Sequence, residues 1–323
     1  MILRKCFSGL SEVKSLSNSN TVLVITGPTA SGKSSLAVEC ALHLNGEVIS
    51  ADSMQVYRGF DIATAKITPE EMKGVPHHLI DIRDPLESFT VADFVKECNE
   101  CIREIHERSH TAIVCGGTLQ YITALIRGIE FPEGCSSPKL RAKLWQEVSE
   151  DGNDIWHKQL QELDPEAAER INVNDTKRIV RFFEVYQCSG LTQSEVNRRS
   201  LLKGTEFNFC TLGLYPERSL LYESINVRCQ KMFDEGIIDE LKGLLDRYPE
   251  LRDAQSFQAI GYKELLPYLE GNITQDEALE KLARNSRRYA KRQLSWMRSM
   301  EEVIFIKNPT FVGKFEEILG FFT

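Results

Sequence analysis

The chain has 323 residues, of which 42% are hydrophobic and 27% charged, and its formal net charge is −8. This composition is typical of a folded globular protein and excludes a disordered or fibrous chain. No apolar run approaches the roughly 20 residues that span a bilayer, so no membrane segment is predicted. Nine scattered cysteines, an odd number, do not form a disulfide framework and indicate a reducing compartment, which we expect to be the cytoplasm.

The first part of the chain alternates strand-like and helix-like segments. Short apolar, β-branched runs predict buried strands at Thr21–Thr26, Glu47–Ala51 and Ala112–Cys115. Apolar residues at helical spacing predict helices at Ser34–Leu44 and Val91–Glu107. Strands that alternate with helices in this way predict an α/β fold, in which crossover helices flank a parallel sheet.

The later part of the chain is mostly helical in pattern. Residues 129–203 are acidic and amphipathic without a strand-like run, which predicts a helical insertion between two parts of the core, 21–128 and 204–323. Strand patterns return at Phe209–Tyr215 and, as an edge strand, at Val303–Ile306. The predicted helices of this part are Glu217–Glu235, Ile237–Tyr248, Tyr262–Leu269 and Thr274–Met300. Residues 1–20 are expected to be a flexible extension.

A phosphate-binding loop lies between the first strand and the first helix. Its sequence, GPTASGKS, matches G-x-x-x-x-G-K-[ST] in the strand-to-helix context that this motif requires. Backbone N–H groups and the helix N-terminus would surround phosphate oxygens, Lys33 would add positive charge, and the Ser34 hydroxyl would coordinate Mg²⁺. The candidate phosphate-binding residues are Gly27, Pro28, Thr29, Ala30, Ser31, Gly32, Lys33 and Ser34.

The loop alone does not define the reaction. Kinases, ATPases and GTPases usually add an acidic residue at the end of a neighbouring strand. Here Gly116-Gly117-Thr118 follows one strand, and Asp52 follows another. This pattern disfavours nucleotide hydrolysis but leaves a small-molecule kinase open. From the residues alone, Asp52 is equally a functional acid or a cap of the next segment.

Eight segments in order resemble the bacterial tRNA dimethylallyltransferases, which modify the adenosine just 3′ of the anticodon. They are GPTASGKS at 27–34, ISADSMQVYRGFDIATAK at 49–66, GVPHHLIDIRDP at 74–85, FTVADF at 89–94, GGT at 116–118, NDTKRIVR at 174–181, QAIGYKE at 258–264 and NSRRYAKRQLSWMR at 285–298. The resemblance covers about residues 21–307 and implies a P-loop NTPase-like sheet with a helical insertion. Ser224 departs from the family, which usually has an arginine there.

The resemblance implies transfer of a dimethylallyl group from dimethylallyl diphosphate to N6 of that adenosine, in tRNAs that read codons beginning with U. The departing diphosphate needs a preorganised cationic site, which the phosphate loop, Mg²⁺ on Ser34 and Arg228 would provide. Thr118 would place a hydroxyl near the bridging oxygen. Asp52 would be the general base for the N6 proton. Three alternatives stay open: a metabolite kinase, prenyl transfer onto free adenine nucleotides, and a tRNA-binding module without catalysis.

Two basic clusters offer surfaces for the tRNA anticodon stem-loop, although the net charge is acidic. Ala283–Arg298 holds six basic residues and no acid, and on a helix these occupy an arc of roughly 140°. A helix face that carries only positive charge favours contacts with phosphates. The opposite side of this helix, with Tyr289 and Trp296, is expected to be buried. The candidate tRNA-binding residues are Lys177, Arg178, Arg181, Arg284, Arg287, Arg288, Lys291, Arg292 and Arg298 and, by resemblance, Asp52, Ser53, Met54, Gln55, Gln258, Gly261 and Lys263. We expect the protein to be a monomer.

Overall fold

The computed structural model describes residues 20–132, 135 and 137–307, and the predicted extension therefore lies almost entirely outside the described residues. The described strands form one sheet in the order β3-β2-β4-β1-β5-β6, and every neighbouring pair is parallel. These strands are β1 (Thr21–Thr26), β2 (Gly46–Ser50), β3 (His77–His78), β4 (Thr111–Gly116), β5 (Asn208–Tyr215) and β6 (Val303–Lys307). The predicted α/β fold with a parallel sheet is confirmed.

Helices connect and flank the strands, and the inner strands are accordingly buried along almost their whole length. No helix among the described residues is long and apolar enough to cross a membrane. The helices are α1 (Lys33–Leu44), α2 (Pro69–Met72), α3 (Val91–Glu107), α4 (Leu119–Ile126), α5 (Pro138–Asp151), α6 (Asn153–Leu163), α7 (Pro165–Arg170), α8 (Thr176–Ser189), α9 (Gln193–Lys203), α10 (Arg218–Asp234), α11 (Ile237–Arg247), α12 (Tyr262–Leu269) and α13 (Gln275–Arg298).

The strand register brings three loops to one edge of the sheet. Thr26 of β1 pairs with Gly116 of β4, and Ser50 of β2 pairs with Cys115 of β4. The three strands therefore end at the same level, and the loops that leave their carboxyl ends meet there. In open parallel sheets, this edge is where ligands bind.

The chain divides into two compact units. Among the described residues, one unit comprises 20–123 and 206–307, and the other lies within Ala124–Thr205, where the sequence analysis placed an insertion at 129–203. The second unit has its own apolar core, which includes Leu144, Trp156 and Phe183. Within it, Cys135 and Cys188 form a disulfide bond with a Cα–Cα distance of 5.5 Å. The cysteine count did not predict this bond.

Candidate active site

The phosphate loop turns the chain sharply from β1 into α1. Ala30 and Gly32 have positive φ angles of 61° and 82°, and the Ser31 N–H donates to the Pro28 carbonyl at 3.3 Å. A Cβ on Gly27 would lie 2.8 Å from Ser31 Oγ and 3.0 Å from Leu214 Cβ, so glycine avoids crowding at this position. No side chain caps the start of α1, which leaves its first N–H groups for an anion.

Two partly buried cations, Lys33 and Arg228, lie at this loop. Burial lowers the pKa of each below its ordinary value, and the two positive charges repel each other. Lys33 Nζ donates to the Pro28 carbonyl at 3.5 Å, and Arg228 Nη2 donates to the Thr64 carbonyl at 3.3 Å. Neither forms a salt bridge with a carboxylate in the described part of the chain. Because charges that are partly removed from water are stabilised by an opposite charge, this pair is suited to an anionic ligand.

Asp52 begins a tight turn directly after β2. Its Oδ1 accepts hydrogen bonds from the backbone N–H groups of Met54 at 2.9 Å and Gln55 at 3.4 Å. The Gln55 amide is itself fixed, since its Oε1 accepts from Ser50 Oγ at 3.1 Å and its Nε2 donates to the Thr64 carbonyl at 3.3 Å. The capping role that the sequence left open is therefore present, and it holds the carboxylate in one orientation.

Thr118 is fixed beside this turn by close backbone packing. A Cβ on Gly116 would lie 2.1 Å from the Ala51 carbonyl oxygen, so only glycine allows the approach. The Thr118 N–H then donates to that same carbonyl at 3.2 Å. Thr118 Oγ1 accepts the Ser53 N–H at 3.0 Å. Thr118 and the Asp52 turn are thus joined directly, although they are far apart in sequence.

A single pocket unites these groups and has two chemically different parts. Its polar part contains the phosphate loop, the two cations and the Asp52 turn, with Thr29, Lys33, Ser34, Asp52, Ser53, Met54, Gln55, Gly117, Arg228 and Gln258. An apolar wall adjoins it, with Ile225, Cys229, Met232, Ile260 and Leu282. This combination suits a ligand with an anionic head and a short hydrocarbon tail.

Family membership follows from a match over most of the chain. A family model described as IPP transferase matches residues 55–300. The chain belongs to the IPP transferase family. It is 47% identical over 302 residues to a tRNA dimethylallyltransferase of Halalkalibacterium halodurans, which covers 93% of the chain and 96% of that relative.

Solved structures place this IPP transferase within the same fold. The full-length tRNA isopentenylpyrophosphate transferase of Bacillus halodurans is 45% identical, with a TM-score of 0.69 over 94% of this chain and 95% of that one. A eukaryotic dimethylallyltransferase acting on tRNA is 29% identical, with a TM-score of 0.80 over 91% of this chain and 75% of that one. The predicted P-loop NTPase-like fold is confirmed.

The basic residues of α13 in this family member form one largely exposed face. Arg287 differs, because its guanidinium donates to Asn226 Oδ1 at 2.6 Å and to Glu280 Oε1 at 3.0 Å. The exposed members are Arg284, Arg288, Lys291, Arg292 and Arg298. Arg287 is therefore partly engaged within the protein.

The buried side of α13 differs from the sequence prediction. Trp296 was expected to be buried but is 43% exposed, whereas Gln293 is only 4% exposed. The buried stripe runs through Ala290, Gln293 and Met297, at spacings of three and four residues, and Trp296 falls outside it. Ser286, Tyr289 and Gln293 reach the pocket, and the sequence analysis missed this contribution. The available signal was a glutamine within an otherwise apolar stripe.

The basic residues of the second unit occupy different surroundings. Lys177 and Arg178 are exposed at the start of α8, where Arg178 also forms an ion pair with the capping Asp175 at 3.3 Å. Arg181 instead donates to the fully buried Glu184 at 2.7 Å and to the Cys135 carbonyl at 2.8 Å. Arg181 thus balances a buried carboxylate.

The segment before α12 contains the remaining predicted residues. Lys263 Nζ donates to Gln258 Oε1 at 2.5 Å, and both side chains are exposed. Gly261 has a φ of 129°, and a Cβ there would lie 2.9 Å from Ala63 Cβ. Glycine at this position therefore permits close packing against the loop that follows the Asp52 turn.

Proposed function

We propose that this IPP transferase moves a dimethylallyl group from dimethylallyl diphosphate to N6 of the adenosine just 3′ of the anticodon, in tRNAs that read codons beginning with U. The observation that supports the proposal is the pocket in which Lys33 and Arg228, partly buried and without a salt bridge among the described residues, lie with the Asp52 turn and an apolar wall. The names of the relatives support the same reaction.

The donor end stabilises the leaving group. As the allylic C1–O bond breaks, its electron pair departs with the diphosphate, and negative charge develops on the oxygens. The loop N–H groups, Lys33 and Arg228 are fixed before this charge appears, so little reorganisation is required. Thr118 Oγ1 accepts the Ser53 N–H at 3.0 Å and donates a long hydrogen bond to Ser53 Oγ at 3.4 Å. With the donor bound, the Thr118 hydroxyl would turn from Ser53 Oγ to the bridging oxygen.

The acceptor end removes a proton. The adenine N6 amine is a weak nucleophile because its lone pair is delocalised into the ring, so the amine must be oriented and deprotonated as it attacks C1. Asp52 would take that proton through the oxygen that the turn does not use. The backbone of Met54 and Gln55 holds the carboxylate in place for this step.

Mg²⁺ is the expected cofactor, and the pocket fits it through oxygen donors. Among the described residues no cluster of three or more His, Cys, Asp or Glu could hold a metal. Mg²⁺ is commonly held by few protein oxygens together with substrate phosphates, and Ser34 lines the same pocket as Lys33. Ser34 would hold the ion, which would neutralise part of the diphosphate charge when bound.

The tRNA would bind through its phosphates to the exposed basic face of α13 and to Lys177 and Arg178. The target adenosine must leave its stack to reach Asp52, as for other base-modifying enzymes. Ser53, Met54, Gln55 and Gln258 line the pocket that would receive it. We expect the protein to act as a monomer.

The test is a transfer assay with the full chain, Mg²⁺, labelled dimethylallyl diphosphate and unmodified tRNA, followed by digestion to nucleosides. We expect label on N6 of one adenosine, and none on a matched tRNA that carries guanosine there. Label on free AMP but not on tRNA would support the nucleotide-prenylating alternative. Transfer of the γ-phosphate from labelled ATP, without prenylation, would support the kinase alternative.

A further inference from the structure

Gln293 connects the phosphate loop to the turn after β4. It lies on the buried side of α13 and is 4% exposed. Its Oε1 accepts the Thr29 N–H at 2.9 Å, and its Nε2 donates to the Gly117 carbonyl at 2.8 Å. Both ends of the amide are therefore used, one on each of two loops that line the pocket.

The surrounding residues fit this amide closely. A Cβ on Gly117 would lie 2.4 Å from Gln293 Nε2, so the glycine leaves the space that the amide occupies. One helical turn earlier, Tyr289 lines the same pocket as Gln293 and Gly117. The contact therefore lies beside the proposed leaving-group site.

We propose that Gln293 is a positioning residue that sets the distance between the phosphate loop and the Gly116–Thr118 turn. This inference rests on the proposed function. The distance between the two loops decides whether the Thr29 region and the Thr118 hydroxyl can both contact the departing diphosphate. α13 carries the basic face on its outer side and this amide on its inner side. A shift of the helix would therefore move both loops.

Two substitutions at Gln293 test the two hydrogen bonds, one by removing only the bond to the Gly117 carbonyl and the other by removing both. Gln293→Glu keeps an acceptor for the Thr29 N–H but places an oxygen against the Gly117 carbonyl, and Gln293→Met removes both bonds at similar volume. We expect kcat to fall about 10-fold to 100-fold in both variants. Inorganic pyrophosphate should bind more weakly by calorimetry, with tRNA affinity unchanged. Gln230→Met, at an exposed position of α10, is the matched control and should behave as wild type.

A second comparison keeps the inference falsifiable if Gln293→Met does not fold. Gly117→Ala should reduce kcat by displacing the amide, and adding Gln293→Ser should cause little further loss in the double variant, because the amide contact is already broken. Exchange of the Thr29 amide hydrogen should be faster in Gln293→Ser, which loses the acceptor, than in Gln293→Glu, which keeps it. Wild-type kcat and pyrophosphate affinity in folded Gln293→Glu, or additive effects in the double variant, would overturn the inference. Pyrophosphate affinity tests it even if no prenyl transfer occurs.

Discussion

Asp52 Oδ1 accepts the backbone N–H of Met54 at 2.9 Å, so the acid proposed as the base also stabilises its own turn. A carboxylate has two oxygens, and this hydrogen bond uses one of them. Capping and proton acceptance are therefore compatible roles. The two roles respond differently to substitution, because an asparagine still caps but no longer accepts the N6 proton.

Asp52→Asn should lower the rate of prenyl transfer by about 10²-fold to 10⁴-fold while it keeps the fold, because the amide oxygen still accepts the Met54 N–H. Asp52→Ala should lose the same activity and, in addition, about 1 kcal/mol of stability from the missing cap. Single-turnover transfer and thermal unfolding measure the two effects separately.

The control for this pair is Asp234→Asn, which changes an exposed carboxylate at the end of α10 and should leave both measurements unchanged. Transfer by Asp52→Asn within 10-fold of the wild-type rate would contradict the base assignment. Equal unfolding temperatures of Asp52→Asn and Asp52→Ala would contradict the capping role.

Lys33 should make pyrophosphate binding sensitive to alkaline pH. Burial lowers its pKa below the ordinary value of 10.5, so the free protein loses this positive charge at lower pH than an exposed lysine would. Binding should therefore weaken as pH rises toward 10.5. In Lys33→Arg the charge persists, and the weakening should be smaller over the same range. Calorimetric titrations at several pH values test this, and identical pH profiles for both proteins would contradict it.

Glu47 should stabilise the sheet through a charge network. It is 3% exposed and accepts hydrogen bonds from Arg108 at 3.0 and 2.9 Å, from His78 at 2.6 Å and from His110 at 2.7 Å. The Arg108 hydrogen bonds, above all, lower the pKa of Glu47 from 4.5 to about 2. A lowered pKa in the folded state stabilises the protein above the unfolded-state pKa, and this contribution is lost as pH falls from about 4.5 toward 2.

Glu47→Gln should therefore reduce the free energy of unfolding by about 3 kcal/mol at pH 7, and by less at pH 3. Glu206→Gln is the matched control, because Glu206 also binds an arginine, Arg103, through both oxygens but is half exposed. Glu206→Gln should reduce the free energy of unfolding by at most about 1 kcal/mol. Urea unfolding at both pH values gives the comparison, and equal losses in the two variants would contradict the network's role.

Local patterns explain which parts of the fold were predictable. The helix predicted at Val91–Glu107 has the same bounds as α3, because its apolar stripe and its capping box, formed by Thr90 and Asp93, lie within the segment itself. β1 was equally predictable, because its apolar residues form an uninterrupted buried run. β3 was not predicted, because His77–His78 has no strand-like pattern of its own and is a strand only through its pairing with β2.

The candidate site was predictable where a motif is contiguous. The phosphate loop and Asp52 each follow a recognisable strand. The contact of Gln293 with Thr29 joins residues separated by 264 positions, and no local pattern specifies such a partner. The pairing of Arg181 with Glu184 is close in sequence, but only the burial of Glu184 in the fold makes it strong. Charge patterning therefore indicated basic residues without showing which ones are already engaged.

The exposed face of α13 provides a test of that distinction. Arg288 is exposed and forms no salt bridge with other described residues, whereas Arg287 is already paired with Glu280. Arg288→Gln should weaken tRNA binding and reduce the slope of log K against log salt concentration by about 1, since one phosphate contact is lost. Arg287→Gln should reduce the slope less, and Lys242→Gln, on α11, should not change it. Filter-binding assays at several salt concentrations measure the slopes. An unchanged slope in Arg288→Gln would exclude this part of α13 from the tRNA interface.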